Sequence, residues 1–451
     1  MAEAFDLVVI GTGSGGSAVA TRCRSAAWRV AIVDELPFGG TCALRGCDPK
    51  KVLVGAAELT DWNRRMMGRG IAGQAEIAWP DLMRFKRTFT DPVPAARQEA
   101  FTKAGIATYC GPARFVGPDT LAVDGQVLEA RHFVIAAGAK PRHLGIPGEE
   151  HLVTSTDFLE LDRLPGRIAF VGAGYISFEF AHLARRAGAQ VTIVGRGKPL
   201  EYFEQDLVHR LADHTRSLGI DLRVDTEATS IEKCSGSYRL VLTSRGRTEV
   251  TEADLIVHGA GRVANVAGLD LEAAGVAIEP NGGVRVNDFL QSVTNPRVYA
   301  AGDAVALPGK LPLTPVAGYE GTIVASNLVK GNNRTPAYRG IPSVVFTVPP
   351  LAQVGLTEAQ ARALSLDIRV EAQDTSGWYS NRRVAETCAM FKVIVDSKAD
   401  RIVGAHLLGP HAEEVINLFA LSIRSRVPAA DLKHMVYAYP TSSSDVPYMI
   451  P

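Results

Sequence analysis

The chain has 451 residues, which is enough for about three domains with a large buried core. Lysine plus arginine and aspartate plus glutamate both number 48, so the formal charge is zero and gives no electrostatic case for a nucleic-acid or membrane-surface partner. No apolar run reaches the ~18 residues that a membrane-spanning helix needs. The first residues lack a basic region and a small-residue cleavage site, and six cysteines are too few for a secreted disulfide framework. We therefore expect a cytoplasmic globular enzyme without an export signal.

Two segments of the chain share one plan. They are DLVVIGTGSGGSAVATRCRSAAWRVAIVDE at 6–35 and RIAFVGAGYISFEFAHLARRAGAQVTIVGR at 167–196. Each predicts an apolar strand, a glycine-rich turn, an amphipathic helix and a second strand, which is the βαβ unit that binds dinucleotides. One such motif is weak support, but two copies, each between a predicted strand and a predicted helix, indicate two nucleotide sites rather than two turns without a ligand.

The small residues of each turn have three expected tasks. One permits the tight turn, one lets the backbone approach a pyrophosphate, and one allows the helix to pack closely on the strand. In that order they are Gly11, Gly13 and Gly16 in the first copy and Gly172, Gly174 and Ser177 in the second. The pyrophosphate is then held by free N–H groups and by the positive end of the helix dipole.

The two copies differ where the second strand ends. Asp34 lies 23 residues after Gly11, whereas Gly195 lies 23 residues after Gly172 and is followed by Arg196. A carboxylate suits a ribose diol, and an arginine attracts a 2′-phosphate that an acid would repel. We therefore expect FAD in the first site and NADPH in preference to NADH in the second. The alternative for Arg196 is an ordinary surface arginine.

Three further stretches fit cofactor binding. HFVIAAGAKPR at 132–142 predicts a strand that ends in small residues suited to close packing on a cofactor. VYAAGDAV at 298–305 places Asp303 at the carboxyl edge of a strand, where a carboxylate can bind a ligand hydroxyl. LTPVAGYEG at 313–321 predicts a helix with Thr314 as its N-cap and a proline in its first turn. The positive end of this helix would stabilise negative charge on a reduced flavin.

Beyond residue 339 the pattern changes. The stretches GIPSVVFTVPPLAQVGLT and MFKVIVDSKADRIVGAHLLG predict antiparallel strands, and AEEVINLFALSIRS predicts a helix with one apolar face. No nucleotide motif occurs in this part, so the sequence predicts a separate α+β domain.

The stretch GGTCALRGCDPKK at 39–51 is the most specific in the chain. Cys42 and Cys47 follow a Gly-Gly turn, and a helix that starts near Thr41 would lower the pKa of both thiols through its dipole. Thiolate is the form that attacks a disulfide. The alternative is a pair of buried, inert cysteines, which the flanking glycines and the nearby FAD turn disfavour. The other four cysteines are isolated in the sequence and are expected to be structural.

Together these motifs resemble the class I pyridine nucleotide-disulfide oxidoreductases, which include glutathione reductase, dihydrolipoamide dehydrogenase and mercuric reductase. The motifs that carry the resemblance are GTGSGG, GGTCALRGC-DPKK, AAG, GAGYIS-FE, GRVAN, YAAGD and LTPVA. The resemblance implies an α/β fold with two Rossmann-like dinucleotide-binding domains and a C-terminal α+β dimerisation domain. The implied segments are 1–148 for the FAD-binding domain, 149–264 for the NAD(P)-binding domain, 265–338 for the central continuation of the FAD domain and 339–451 for dimerisation.

The resemblance also implies roles for individual residues. Cys47 corresponds to the flavin-facing sulfur that forms a charge-transfer thiolate, and Cys42 to the interchange sulfur that attacks the substrate. Lys50 corresponds to a lysine beside the flavin that pairs with Glu179. Tyr175, one helical turn from Glu179, corresponds to the tyrosine that gates the nicotinamide pocket. Such enzymes are homodimers whose active site is completed by the partner subunit.

The motifs and the resemblance give one set of predicted site residues and no metal site. The predicted catalytic residues are Cys42, Cys47, Lys50, Glu179 and Tyr439. The predicted FAD- and NADP-binding residues are Gly11, Gly13, Ser14, Gly15, Gly16, Asp34, Thr41, Lys50, Ala113, Gly138, Gly172, Ala173, Gly174, Tyr175, Ile176, Glu179, Arg196, Gly261, Asp303 and Thr314.

The C-terminal signature of the family is a histidine, Pro-Thr and then a glutamate that orients the histidine. Here Tyr439 stands in the place of the histidine and Ser444 in the place of the glutamate. A histidine with a pKa of ~6.5 can shuttle a proton at neutral pH, whereas a tyrosine with a pKa of ~10 stays protonated. We expect Tyr439 either to donate a hydrogen bond or a proton, or only to pack at the dimer interface.

Two further departures concern the electron acceptor. Glutathione reductases hold the carboxylates of glutathione with arginines at positions that Thr21 and Thr322 occupy here, although Arg22 is adjacent to the first. Mercuric reductases also have a tyrosine in place of the histidine, but they carry a C-terminal cysteine pair, and this chain has no cysteine after Cys388. Both glutathione disulfide and mercuric ion are therefore in doubt as substrates.

We predict that hydride passes from NADPH to FAD, that electrons pass on to the Cys42–Cys47 disulfide, and that the resulting dithiol reduces a disulfide acceptor. One alternative is a metal-ion reductase of the mercuric type or a quinone reductase on the same scaffold. Another is a redox-sensing flavoprotein without turnover. The missing histidine favours the sensor, whereas the intact cysteines and the second nucleotide site argue against it.

Overall fold

The computed structural model describes residues 3–280, 282–307, 309 and 311–451. The strands are β1 Glu3–Ile10, β2 Val30–Asp34, β3 Ala107–Cys110, β4 Ala113–Gly117, β5 Thr120–Val123, β6 Gln126–Ile135, β7 Ala139–Pro141, β8 Arg167–Val171, β9 Gln190–Val194, β10 Asp221–Arg223, β11 Glu227–Lys233, β12 Tyr238–Ser244, β13 Arg247–Ala253, β14 Leu255–His258, β15 Arg262–Ala264, β16 Val298–Ala300, β17 Ser343–Val345, β18 Leu351–Gly355, β19 Ile368–Asp374, β20 Met390–Asp396 and β21 Arg401–Leu408. The helices are α1 Ser14–Ser25, α2 Gly40–Arg45, α3 Cys47–Met66, α4 Trp79–Thr90, α5 Val93–Lys103, α6 Ser155–Phe158, α7 Tyr175–Arg186, α8 Gln205–Ser217, α9 Thr314–Lys330, α10 Glu358–Ala363, α11 Tyr379–Arg382, α12 Ala412–Ser425, α13 Ala429–His434 and α14 Val446–Met449.

The chain divides into two compact units, each assembled from separate stretches of sequence. The first comprises Met1–Lys50, Arg84–Arg142 and Arg262–Ala337, and the second comprises Lys51–Met83, His143–Gly261 and Tyr338–Pro451. The predicted division into FAD-binding, NAD(P)-binding, central and dimerisation segments is finer than this division and stays a prediction.

One sheet organises the first unit, with the strand order β3-β2-β1-β6-β5-β4, and β16 pairs with the end of β6. The pairs β1–β2, β1–β6, β2–β3 and β6–β16 are parallel, and β4 and β5 add antiparallel strands at one side. Val8, Val9 and Ile10 of β1 are consecutive and buried, as is typical of a parallel strand whose two faces are both covered. The continuous apolar run in the sequence therefore determines the central position of β1.

The glycines of the first turn fix the helix on this sheet. A Cβ on Gly11, which has a φ of 106°, would lie 2.2 Å from the Ala136 carbonyl oxygen, and one on Gly16 would lie 1.9 Å from the Gly11 carbonyl oxygen. Helix α9 packs on α1 so closely that a Cβ on Gly321 would lie 2.3 Å from the Gly15 carbonyl oxygen. The N-terminus of α1 consequently lies at the carboxyl edge of the parallel strands, where open sheets bind ligands.

The second unit contains a parallel sheet, β10-β9-β8-β14, in which α7 connects β8 to β9 as the second βαβ unit. It also contains the antiparallel sheets β11-β12-β13 and β17-β18-β21-β20-β19. Helix α12 buries Val415, Ile416, Phe419 and Ile423 in one core with strands of the second antiparallel sheet. The helical spacing of these four residues is the periodicity that predicted the helix.

The predicted fold class is confirmed, because both βαβ units form and an antiparallel sheet with a helix follows them. The prediction that Thr314 caps α9 is wrong: Leu313 occupies the N-cap position and Thr314 is the first helical residue. The helix begins one residue earlier than predicted, and the Thr314 hydroxyl is used elsewhere, as shown below. Within the described residues, none of the helices combines the length and the apolar character that crossing a bilayer requires.

Candidate active site

The two cysteines of the 39–51 stretch lie on two consecutive helices, a short one and a long one. Cys42 belongs to α2, which begins at Gly40, and Cys47 is the first residue of α3. The prediction of a helix start near Thr41 is therefore confirmed. A Cβ on Gly40 would lie 2.4 Å from the Cα of Gly13, so the Gly-Gly turn brings the cysteine segment against the first nucleotide turn. Only glycine permits this approach.

Both thiols are reduced in this structure, and each has a polar neighbour. The Cys47 sulfur lies 3.3 Å from the Thr314 hydroxyl. This contact connects the first residue of α3 with the first residue of α9. The Cys42 thiol donates to Asp48 Oδ1, with 3.8 Å between sulfur and oxygen. Neither contact was foreseen from the sequence, because both depend on how the segments pack.

The pKa values of the two thiols differ in direction. A hydrogen bond from Cys42, together with the Thr314 hydroxyl and the charge of Lys50, lowers the pKa of Cys47 to about 6, against the opposing effect of burial. The same hydrogen bond to Cys47, followed by burial, raises the pKa of Cys42 above its usual value. At neutral pH Cys47 is therefore a thiolate and Cys42 a protonated thiol. The direction of this asymmetry agrees with the roles expected for a flavin-facing sulfur and an interchange sulfur.

The first nucleotide turn fits a pyrophosphate. Helix α1 has Gly13 at its N-cap, so no side chain occupies its free N–H groups, and a Cβ on Gly13 would meet only the Cα of Gly40 at 3.9 Å. Asp34, at the end of β2, accepts from the backbone N–H and the hydroxyl of Thr12 at 2.8 and 2.6 Å. Thr12 is buried and was missed by the sequence reasoning, although its place between two glycines of the turn is a signal. It fixes the carboxylate that is expected to bind the ribose.

The other predicted FAD residues lie in the same unit. Asp303 is on the 3-10 turn Gly302–Ala304, and its carboxylate has no partner within the described part of the chain. Glu320, buried in α9, accepts from the Gly302 N–H at 2.7 Å and so fixes this turn, which the sequence reasoning did not anticipate. The remaining predicted positions are Ser14 and Gly15 at the start of α1, Thr41 in α2, Lys50 in α3, Ala113 at the start of β4 and Gly138 with a φ of 70°. These residues fit FAD, and their contacts to it stay predictions.

The second nucleotide turn has the same architecture in the second unit. Helix α7 begins at Tyr175 with Gly174 as its N-cap. A Cβ on Gly195 would lie 2.4 Å from the Ala173 methyl carbon, so packing excludes an acidic side chain at the place where the first copy has Asp34. Arg196 follows and is exposed. The remaining predicted members of this site are Gly172, Ile176 and Gly261.

Tyr175 and Glu179 lie on the same helix but differ in environment. The Tyr175 side chain is 47% exposed, whereas Glu179 is 2% exposed and accepts from the backbone N–H of Phe346 at 2.8 Å. The predicted pairing of Lys50 with Glu179 stays a prediction, as does the gating role of Tyr175.

The aromatic side chain at position 439 of the C-terminal segment is exposed to solvent. Tyr439 is 79% exposed. Ser444 does not act as the missing glutamate would, because its hydroxyl donates to the Thr441 carbonyl at 2.6 Å and its N–H donates to the Thr441 hydroxyl at 3.2 Å. Ser444 therefore completes a local capping box.

Two of the remaining cysteines are buried, and burial raises the pKa of Cys23 to about 12 and that of Cys388 above its usual value. These two are inert packing residues. Cys110 is exposed, and Cys234 is half-buried.

Two dinucleotide turns and a thiol pair beside one of them define a flavoprotein that passes electrons from a nicotinamide to sulfur. Residues 5–321 match the family model described as pyridine nucleotide-disulphide oxidoreductase, and residues 341–450 match the dimerisation domain of the same family. The chain belongs to the class I pyridine nucleotide-disulfide oxidoreductases.

Individual relatives agree with this assignment. The chain is 33% identical over 443 residues to a glutathione reductase of Burkholderia cepacia, covering 98% of this chain and 97% of that protein. It is 30% identical over 444 residues to a mercuric reductase of Staphylococcus aureus, covering 97% of this chain and 80% of the relative. The solved structure of RclA, an HOCl-induced flavoprotein disulfide reductase from Escherichia coli, is similar, with a TM-score of 0.87, 26% identity and coverage of 99% of both chains. The protein is therefore an FAD-dependent disulfide oxidoreductase of the glutathione reductase kind.

Proposed function

We propose that this enzyme takes electrons from NADPH and that the Cys42–Cys47 pair, once reduced, is the dithiol that reduces a disulfide acceptor. The observation that carries the proposal is the position of the two thiols, next to the first nucleotide turn and with the Cys47 sulfur 3.3 Å from the Thr314 hydroxyl. The hydrogen bond from Cys42 and the Thr314 hydroxyl lower the pKa of Cys47, and the pKa of Cys42, the third residue of α2, is raised. Thiol–disulfide exchange needs one sulfur that attacks the substrate, here Cys42, and a second sulfur that closes the enzyme disulfide as a thiolate, here Cys47.

The residues of the first unit are arranged to hold FAD. Gly13 and the start of α1 would take the pyrophosphate, Asp34 the ribose and Asp303 the ribityl chain. When bound, FAD supplies two-electron chemistry between a nicotinamide and a disulfide. The protein's own part is to keep the Cys47 sulfur as a thiolate at the start of α3.

The preference for NADPH rests on Gly195 and Arg196. Since Ala173 leaves no room for a side chain at 195, the position cannot carry the acid that would select NADH, and the exposed Arg196 guanidinium is free to meet a 2′-phosphate. Arg196→Glu should raise the KM for NADPH by roughly ten- to hundredfold and change that for NADH little, because a bidentate contact to phosphate is worth ~1.5–3 kcal/mol. Arg383→Glu, at another exposed arginine, is the matched control. A wild-type enzyme that favours NADH would contradict this part of the proposal.

We also propose that the protein is a homodimer. Residues 341–450 match a dimerisation domain, and this part of the chain exposes the apolar side chains of Leu421, Val436, Tyr439 and Tyr448. Sedimentation equilibrium should give twice the chain mass, and a monomer at micromolar concentration would exclude a site completed by a partner. A cytoplasmic location stays part of the proposal and is supported by the small number of cysteines, six in 451 residues.

The acceptor is proposed to be a disulfide other than glutathione disulfide. Thr322 donates its hydroxyl to the Gly318 carbonyl of its own helix at 3.1 Å, and Thr21 is an exposed neutral side chain. Neither replaces an arginine that would bind a carboxylate of glutathione. We therefore expect an uncharged or differently charged disulfide to give a higher kcat/KM than glutathione disulfide.

A metal-ion reductase is the second candidate, and related proteins favour it. Two of the solved structures of RclA are described as Cu(II) complexes, and several relatives are mercuric reductases. Within the described residues no cluster of three or more His, Cys, Asp or Glu side chains could hold a metal ion. In this candidate function the metal ion is the substrate, and the Cys42 and Cys47 thiolates are ligands that suit a soft metal ion.

One panel of acceptors separates these functions. Holoenzyme is mixed anaerobically with NADPH and an aliphatic disulfide, an aromatic disulfide, glutathione disulfide, Cu²⁺, Hg²⁺ or a quinone, and NADPH oxidation is followed. Multiple turnovers with a disulfide, lost in Cys42→Ser, are the expected result. Turnover with Cu²⁺ or Hg²⁺ alone would support the second candidate, and a single oxidation of NADPH with every acceptor would indicate a sensor.

A further inference from the structure

Thiol–disulfide exchange needs a group that takes the proton of the attacking thiol and returns it to the leaving sulfur. The segment that carries a histidine in the family has Tyr439 here, and a tyrosine is a poor base at neutral pH. The Cys42 thiol, which must attack, is the more strongly protonated of the two. The proton acceptor for Cys42 therefore has to be a group other than the side chain at position 439.

Asp48 is placed to receive this proton. Its Oδ1 accepts from the Cys42 sulfur at 3.8 Å, and both residues belong to the first unit. Asp48 follows Cys47 in the first turn of α3 and is exposed, so a substrate disulfide that reaches Cys42 also reaches the carboxylate. A carboxylate in a first helical turn also stabilises the helix through the dipole, which is the ordinary structural role for such a residue.

Two acceptors surround the single Cys42 proton. One is the Cys47 thiolate and the other is the Asp48 carboxylate. Transfer to Cys47 would neutralise the sulfur that has to close the enzyme disulfide later in the cycle. Transfer to Asp48 leaves the Cys47 thiolate intact. With the carboxylate as acceptor, Cys42 can attack the substrate and Cys47 can still close the enzyme disulfide.

We propose that Asp48 is a catalytic residue of disulfide exchange, acting from within the cysteine segment as the proton acceptor for Cys42. The inference rests on the proposed function, because it requires a disulfide acceptor. As the Cys42 sulfur attacks one sulfur of the substrate disulfide, its proton moves to Asp48 Oδ1. The substrate S–S bond breaks, and the departing thiolate takes the proton from Asp48.

The second half of the exchange restores the enzyme disulfide. The Cys47 thiolate attacks the Cys42 sulfur of the mixed disulfide, the Cys42–Cys47 bond forms, and the second substrate thiolate leaves and takes a proton from solvent. Two electrons pass from the dithiol to the substrate disulfide, and two thiols are released. No additional reductant or oxidant is required.

The test compares Asp48→Asn with wild-type holoenzyme after reduction by one equivalent of NADPH, with an aliphatic disulfide as the probe. We expect reoxidation to slow by roughly ten- to hundredfold, at or below the lower end of the range for acid–base catalysis, because a carboxylate is a weak base for a thiol. Asp48→Ser should slow it equally, whereas Asp48→Glu, which keeps the carboxylate, should restore most of the rate. Asp431→Asn, at an exposed first-turn carboxylate of α13, is the matched control and should match wild type.

A second readout separates catalysis from electrostatics. The groups that act on the two thiols are Asp48 and Lys50 of α3, and the uncharged Thr314 hydroxyl of α9. Removing the negative charge of Asp48 should lower the pKa of Cys42. A larger fraction of Cys42 is then thiolate, and iodoacetamide alkylates it at a lower pH. A proton acceptor therefore gives faster alkylation together with slower exchange in Asp48→Asn.

Each outcome decides the inference. Exchange that is unchanged or faster in both Asp48→Asn and Asp48→Ser would overturn it and leave only the structural role. Wild-type enzyme that no disulfide reoxidises would overturn the proposed function and this inference together. Slower exchange with unchanged reduction by NADPH would establish the effect at the thiol step.

Discussion

The cysteine segment 39–51 and the C-terminal segment 438–445 have diverged to different degrees. The first keeps both thiols, the glycines that seat them against the nucleotide turn, and a hydroxyl that holds one sulfur as a thiolate. The second has Tyr439 and Ser444 in place of the histidine and glutamate of the family. The chain has thus kept the residues that carry electrons and changed those that move protons. We therefore expect the reaction to proceed through sulfur but with a different proton path or a different acceptor.

Removing either thiol should have the largest effect. Cys42→Ser and Cys47→Ser should each lower the steady-state reduction of the acceptor by about 1,000-fold or more, since a hydroxyl cannot replace the redox-active sulfur. Reduction by one equivalent of NADPH should produce long-wavelength absorbance in wild type, Cys42→Ser should show this absorbance without reduction because it cannot form the disulfide, and Cys47→Ser should abolish it. Cys110→Ser, at an exposed cysteine outside the segment, is the control. Absorbance that survives in Cys47→Ser would assign the flavin-facing sulfur to the wrong residue.

Loss of the Thr314 hydroxyl should have an intermediate effect. Its hydrogen bond to Cys47 favours the thiolate, so Thr314→Val should raise the pKa of Cys47 from about 6. We expect a rise of about one unit, the lower end for a hydrogen bond to a charged group, because the Cys42 thiol and Lys50 still favour the thiolate. The thiolate fraction at neutral pH then falls, and the thiolate is lost at a higher pH during acidification.

The pH dependence of the long-wavelength absorbance measures this shift. Thr314→Ser, which keeps the hydroxyl, should titrate like wild type. A midpoint that stays near 6 in Thr314→Val would show that the Cys42 thiol and Lys50 alone hold the thiolate.

Changes at Tyr439 should have the smallest effect. If it donates one hydrogen bond, Tyr439→Phe should slow disulfide reduction by less than about tenfold and leave reduction by NADPH unchanged. If it only packs, both half-reactions should match wild type. Stopped-flow measurement of the two half-reactions distinguishes these results.

Restoring the family residues tests the comparison in the other direction. Tyr439→His with Ser444→Glu should raise disulfide turnover if a titrating base is the missing part. The glutamate would occupy the third position after the Thr441 N-cap, where it can also complete the capping box that Ser444 now forms. No gain on any disulfide would favour the metal-ion or quinone acceptor.

Much of the fold and of the site could be predicted from the sequence, because local patterns determine them. The two βαβ units follow from glycine spacing beside apolar runs, and α12 follows from its helical periodicity. The helix at the cysteine pair was also predicted from local residues. These features need no knowledge of distant contacts.

The contacts that tune the site could not be predicted. Thr314 lies 267 residues from Cys47, and Thr12 lies 22 residues from Asp34, so only the folded chain shows that each pair meets. The sequence rule for N-caps assigned the Thr314 hydroxyl to its own helix, whereas the structure places it against a thiol. The exclusion of an acid at Gly195 likewise depends on the position of a single methyl group.

Differential alkylation of the oxidised and reduced holoenzyme tests the central claim most directly. Holoenzyme is alkylated under anaerobic conditions before and after one equivalent of NADPH, and the labelled cysteines are identified by mass spectrometry. We expect Cys42 and Cys47 to be protected as a disulfide before reduction and to become reactive afterwards, while the buried Cys23 and Cys388 stay unlabelled. Unchanged labelling of Cys42 and Cys47 in an enzyme that turns over its acceptor would contradict the account.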